Sequence, residues 1–368
     1  MSRDMQAVIL TFLAAAIALS LPLGPAIAGT IRDDRPDSLY TGLSGQPQFR
    51  ASGNLRILNG AAAAGVASGT LIDSQWVLTA AHCVVDEPGV AAGTTWSFEI
   101  GSQVISVPRA NVFFPATYIT SGFDNGVDVA LLRLPTPIRG VPVAALSAAT
   151  DELGKVITTV GYGTTGNGST GNVQAPGTRR AGQNVVDAFS AAISVPGFNR
   201  PPTPIGNAGT LLYDFDNPAR TSSTLGSAIP LNAEYCAAPG DSGGGAFVLA
   251  GGGSRVIGVA SAVTNLNGLA PSSYGTTVIF ARVSQNLAWI RSAMAGQQPP
   301  LPTVLAQLSQ GTLQTATATA RSREASLATY GFRVTRLRAT ESPLASPPAL
   351  EWLERAPAAS PLPWAEGE

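Results

Sequence analysis

Histidine is almost absent: the 368 residues contain one, His82. Cysteine occurs twice and methionine three times. Charged residues make up 12 % of the chain, about half the share usual in soluble domains. Each shortage excludes something. Two cysteines cannot knit a disulfide framework for a chain of this size, so the fold must rest on an ordinary apolar core. A single histidine, without an acidic cluster of loop-ligand spacing, leaves neither a zinc nor an EF-hand calcium site; no metal and no cofactor is expected. The scarcity of long charged helices argues against a coiled coil. A net charge of −1 offers no electrostatic reason to bind nucleic acid or an anionic membrane.

Glycine (40) and proline (28) are plentiful, which favours a turn-rich all-β architecture or globular and disordered parts in one chain. The N-terminus has Arg3, an apolar run from Ala7 to Leu23, and Ala26-Ile27-Ala28 before Gly29. The run is short for a span of ~20 residues, and Pro22 and Gly24 break its end. Residues 1–28 therefore read as a cleaved signal peptide rather than a membrane anchor. A secreted or periplasmic protein without stable membrane insertion is expected. A polar lead, 29–48, follows. From 49 to 296, short β-branched and apolar runs such as Trp76-Val77-Leu78-Thr79 alternate with Gly, Pro, Asn and Ser clusters, as in an antiparallel barrel or sandwich. Thr164 to Gly182 and Asn199 to Gly209 read as exposed loops. Val283 to Ala295 reads as an amphipathic helix with Leu287, Trp289, Ile290 and Met294 on or near one face. Residues 297–368 read as a linker and a mostly disordered tail, with a short helix near Leu350 to Leu353.

Three segments carry candidate chemistry. His82 stands at the end of a strong strand, in Thr79-Ala80-Ala81-His82-Cys83. Asp128 interrupts an apolar strand, Val127-Asp128-Val129-Ala130-Leu131-Leu132, where a carboxylate is costly unless paired. Ser242 lies among glycines in Gly240-Asp241-Ser242-Gly243-Gly244. A serine hydroxyl becomes a nucleophile only with a base in reach and a partner that orients the base. Hydrolysis also needs donors aimed at the developing oxyanion, a role open to the N–H groups of Gly240 and Ser242.

Together the three segments resemble the chymotrypsin/trypsin family of serine peptidases, in the order His, Asp, Ser. Weaker echoes are Gly161-Tyr162-Gly163, Ile257-Gly258-Val259-Ala260-Ser261 and Phe280-Ala281-Arg282-Val283. The resemblance runs from about Phe49 to Ala295 and is that of a bacterial-type secreted member. It implies an all-β fold of two antiparallel six-stranded Greek-key barrels with a C-terminal helix. His82 and Asp128 would come from the first barrel and Ser242 from the second. It further implies peptide-bond hydrolysis on protein or peptide substrates, with Ser261 supporting Asp128 and Asp241 as a structural partner at the site.

The departures bear on specificity and activation. Ser68 stands where the family has the cysteine that pairs with that of A-A-H-C, which leaves Cys83 unpaired unless it bridges Cys236, a pairing the implied fold does not favour. Cys236 and Ala237 align with the base of the specificity pocket, and Val263 and Val278 with its walls. This pattern implies a shallow pocket for small or medium apolar side chains and poor cleavage after arginine. Arg56-Ile57-Leu58-Asn59-Gly60 resembles an activation site, yet only eight residues separate Gly60 from Gly69. Asn54 to Leu58 is read instead as part of the first barrel, and the partner of Asp241 is left open. A non-enzymatic binding module and an esterase with the same triad remain as competing readings.

Overall fold

The computed structural model describes residues 28–87, 90–121, 125–193, 203–251, 253–266, 269–308, 311–318 and 332–336. The expected signal peptide up to residue 27, the short helix at Leu350 to Leu353, and the first residues of the Asn199 to Gly209 loop lie outside the described residues.

The lead forms strand β1 (Gly29–Ile31) and a helix, Asp37–Ser44. Then come β2 (Ser52–Asn59), β3 (Ala62–Asp73), β4 (Trp76–Thr79), the small hairpin β5 (Val85–Glu87) and β6 (Val90–Ala91), β7 (Thr95–Ile100), β8 (Gln103–Pro108), β9 (Val112–Phe113) and β10 (Ala130–Arg133). All but the β5–β6 hairpin join one antiparallel sheet in the order β8-β7-β2-β3-β4-β10-β9. Its buried face carries Leu55, Ile57, Leu71, Trp96, Phe98 and Leu131. The indole N–H of Trp96 donates to the carbonyl of Cys83 (2.9 Å), so the largest side chain in this core leaves no donor unpaired.

The second half contains β11 (Ala145–Leu146), β12 (Val156–Gly161), β13 (Thr165–Asn167), β14 (Gly171–Gln174), β15 (Arg180–Val185), β16 (Ser190–Ile193), β17 (Thr203–Gly206), β18 (Thr210–Asp214), β19 (Tyr235–Cys236), β20 (Gly245–Ala250), β21 (Gly253–Leu266), β22 (Thr277–Arg282) and β23 (Phe332–Arg336). The main path is β15-β12-β20-β21-β22-β18, with β11 and β23 added to β21. Tyr213, Phe215, Tyr235, Ile257 and Phe280 fill its core. The fold is thus all-β, two curled antiparallel sheets, as expected. The sheets hold seven and eight strands rather than six each, because short edge strands extend both.

Other expectations change. The stretch Thr164 to Gly182 is largely ordered: β13 pairs with β14 and, in parallel, with β1, and Thr165 is buried. β17 occupies part of the second loop and pairs with β16. The polar lead is built into the fold: β1 pairs with β19, Tyr40 is buried and Asp37 binds the buried Arg180 guanidinium at 2.5 and 2.7 Å. The tail, too, is ordered at its start. After the closing helix, Val283–Met294, a second helix spans Leu301–Gln307 and buries Leu301 and Val304. The closing helix buries Leu287 and Ile290, while Trp289 and Met294 are partly buried against the same core. Arg56 sits within β2, paired on both sides, which agrees with its reading as barrel rather than activation site.

Candidate active site

β4 ends at Thr79, and the chain turns through a single 3-10 turn, Ala81–Cys83, that points His82 inward. Asp128 lies just before β10, the neighbour of β4, so sheet pairing alone brings the two side chains together. His82 Nδ1 lies 2.7 Å from Asp128 Oδ2, and the His82 backbone N–H donates to Asp128 Oδ1 (2.9 Å). Ser242 comes from the loop between β19 and β20; its hydroxyl lies 2.6 Å from His82 Nε2. With the Nδ1 proton directed at a carboxylate, Nε2 is the free acceptor for the serine hydroxyl. The Ser261 hydroxyl, on β21, donates to Asp128 Oδ2 at 2.5 Å. All four side chains are buried.

Burial alone would lower the His82 pKa, but the Asp128 carboxylate together with Cys83 outweighs it and raises the value. For Asp128 burial acts upward, and the imidazole with its donors brings the net shift down. A positive charge on the His82 imidazole is therefore stabilised by Asp128.

The Ser242 loop has the backbone that oxyanion binding requires. Gly240 has φ +102° and Gly243 φ +80°, both in the region that favours glycine. A Cβ on Gly243 would fall 2.0 Å from Thr79 Oγ1 and 2.4 Å from the Ser68 carbonyl. Neighbouring amides are occupied: Asp241 N–H donates to Ala238, Gly243 N–H to Ala260 and Gly244 N–H to Asp241. Among the described residues the N–H groups of Gly240 and Ser242 have no acceptor, leaving two donors beside the serine hydroxyl.

The Trypsin family model matches residues 45–188, which include His82 and Asp128. Serine protease SSP1 of Scolopendra subspinipes is 30 % identical over 234 residues, spanning 60 % of this chain and 71 % of that protein. The chain belongs to the trypsin family. As a trypsin-family protein it is a serine-type endopeptidase. Collagenase of Hypoderma lineatum is 39 % identical over 72 residues, 18 % of this chain and 25 % of that protein. A solved structure of HL collagenase is 21 % identical, with a TM-score of 0.44, over 73 % of this chain and 98 % of that one. These relatives are eukaryotic, so neither the bacterial-type subtype nor a periplasmic location gains support from them.

In this trypsin-family protein the four residues expected at the specificity pocket are fully buried. Cys236, Ala237, Val263 and Val278 belong to one buried apolar cluster, and Val263 faces Val278 across β21 and β22. Cys83 and Cys236 are both free and buried, in separate clusters. Among the described residues no group of three His, Cys, Asp or Glu side chains is arranged to hold a metal ion, and no helix is long and apolar enough to cross a membrane.

Two residues at the site carry more than their sequence reading. Ser68 is a knot between the sheets: its hydroxyl donates to Gly240 O (2.9 Å), its N–H to Ser242 O (2.7 Å), and it accepts from the Tyr162 N–H (3.0 Å). The hydroxyl thus ties the first half to the Ser242 loop and to Tyr162, a different connection from the one a cysteine here would make to Cys83. Its only signal in the sequence is the substitution itself. Tyr235 has no signal. It donates to Asp241 Oδ2 (2.8 Å), which also accepts from Ala238 N–H (2.9 Å), while Oδ1 accepts from Gly163 N–H (2.8 Å). The open question of what pairs with Asp241 is answered by three neutral donors. Burial pushes its carboxyl up to about 6 against their pull.

Proposed function

We propose that this trypsin-family endopeptidase works outside the cell through Ser242, His82 and Asp128. The carrying observation is the continuous hydrogen-bonded line Ser242 Oγ, His82 Nε2, His82 Nδ1, Asp128 Oδ2. As Ser242 Oγ attacks a peptide carbonyl, its proton moves to His82 Nε2. Asp128, held by Ser261, fixes the imidazole tautomer and stabilises the imidazolium. The oxyanion accepts from the N–H groups of Gly240 and Ser242. His82 then protonates the leaving amine, and water, deprotonated by the same imidazole, releases the acyl group from Ser242.

The small apolar side chains of Ala237, Val263 and Val278, with Cys236 and no carboxylate at the base, favour small or medium apolar residues before the scissile bond. The apolar run with its Ala-Ile-Ala28 site is the basis for export. A phosphonofluoridate labels a nucleophilic serine only when the base is in place. Labelling mapped to Ser242 and abolished by His82→Ala supports the assignment. Labelling of another serine, or labelling that survives His82→Ala, overturns it.

A further inference from the structure

β23, near the end of the chain, is the outermost addition to the second sheet, and its place on β21 bears on the active site. Residues Phe332–Arg336 run antiparallel to Ala262–Leu266, with Thr335 opposite Val263 and Arg336 opposite Ala262. Each edge of β21 can be traced. β22 takes one edge from Gly258 to Thr264. β20 takes the other edge as far as Val259. At Ala260 that second edge passes to the Ser242 loop, since Gly243 N–H donates to Ala260 O (2.8 Å) and Ala260 N–H to Gly244 O (2.9 Å). Beyond it, the edge that the Ser242 loop vacates is the one β23 fills. The antiparallel sense directs β23 toward Ser261, the residue that holds Asp128. An exposed edge presents unpaired N–H and C=O groups that an extended peptide satisfies whatever its side chains.

We propose that Phe332–Arg336 is an internal occupant of the substrate-peptide edge of the cleft, so that the C-terminal segment and an incoming peptide compete for Ala262–Leu266. The proposal rests on Ser242 as the nucleophile that this edge serves. The Val263 wall residue lies within the occupied stretch, so the segment and a bound substrate cannot share it. A tethered segment acts at an effective concentration on the order of 1 mM. If its intrinsic affinity is about 0.1 mM, it is docked about ten to one, and a competing peptide binds about tenfold more weakly than to the open edge.

The test uses the full chain with Val334→Pro and Thr335→Pro; the two N–H groups point to opposite sides of β23, so whichever of them faces β21 is removed while every residue of β21 is unchanged. In a Ser242→Ala background, a fluorescein-labelled peptide of the sequence Phe332–Arg336 is titrated by anisotropy into the proteins with and without the two prolines. Binding about tenfold tighter to the proline variant supports the proposal, and misfolding does not produce such a gain. Equal affinity for both proteins, or binding to neither, overturns it. This readout needs no catalysis, so it stands apart from the Ser242 assignment, which fails if Ser242→Ala retains hydrolysis. In the active protein the same prolines are expected to lower KM for a peptide p-nitroanilide about tenfold with kcat within about twofold. An unchanged KM counts against competition.

Discussion

Asp241 is the residue on which the geometry of the Ser242 loop turns, and Tyr235 is its one side-chain partner among the described residues. Tyr235→Phe removes a single oxygen and keeps the ring that packs against Gly182. The Asp241 carboxylate then keeps only its two backbone donors, in a site without exposure to water. A buried hydrogen bond to a charged group contributes about 1.5–3 kcal/mol. The loss should appear only where Asp241 is ionised. Its folded pKa of about 6 lies above the ordinary carboxyl value, so the native state binds its proton more readily than the unfolded chain does. Its unfavourable contribution to stability therefore grows as pH rises from about 4 to 6. Removing a donor that favours the carboxylate moves the folded pKa higher still and widens that window. Urea unfolding at pH 8 is expected to show a loss of about 1.5–3 kcal/mol, or about 3–12 °C in Tm. At pH 5, with Asp241 protonated in both proteins, the difference should shrink to under about 0.5 kcal/mol. kcat at pH 8 should fall with little change in KM, because the donors at Gly240 and Ser242 lose their support. Equal destabilisation at both pH values would refute the reasoning.

Four further expectations come from the same geometry. Asp128→Asn leaves His82 without its charged partner. kcat should drop about 10⁴-fold, and the acid limb of the pH–rate profile should move to lower pH, because the carboxylate that raises the His82 pKa is gone. Ser261→Ala removes one donor from Asp128 Oδ2 and is expected to lower kcat about five- to tenfold, measured with the same peptide amide as for the parent. Arg282 forms a buried pair with Glu152 at 2.7 Å, so Arg282→Met strands a buried carboxylate and should cost about 3–5 kcal/mol in urea unfolding. Asp187, Asp216 and Glu234 are pushed up by burial, and each also by neighbouring carboxylates, to about 7, 8 and 7. Their raised values make folding less favourable as pH climbs from about 4 to 8; Asp216→Asn should raise Tm at pH 8 and leave it unchanged at pH 5.

The sequence by itself determined the chemistry of the site and the class of the fold. His82 is the only imidazole in the chain, Asp128 is a carboxylate set in an apolar strand, and Ser242 stands among glycines of which Gly240 and Gly243 take positive φ. Such features are local, and each is costly or rare unless it has a purpose, so they can be read without knowing what lies across the molecule. The apolar run of β4 and the stripe of the closing helix are local in the same way. What only the tertiary structure decided are pairings between segments far apart in the chain. Tyr235 reads as an ordinary core aromatic until it is seen against Asp241. Ser68 reads as a missing cysteine until its hydroxyl meets the Gly240 carbonyl of the loop between β19 and β20. The tail read as loose because its Pro- and Ala-rich composition lacks a strand pattern of its own, and the polar lead showed no strand pattern either. β1 and β23 owe their order to main-chain edges on β13, β19 and β21, and an edge accepts a strand through backbone N–H and C=O groups that every residue type shares. Backbone pairing leaves little mark on composition, which is why the strand beside the nucleophile loop became visible only once the chain was folded.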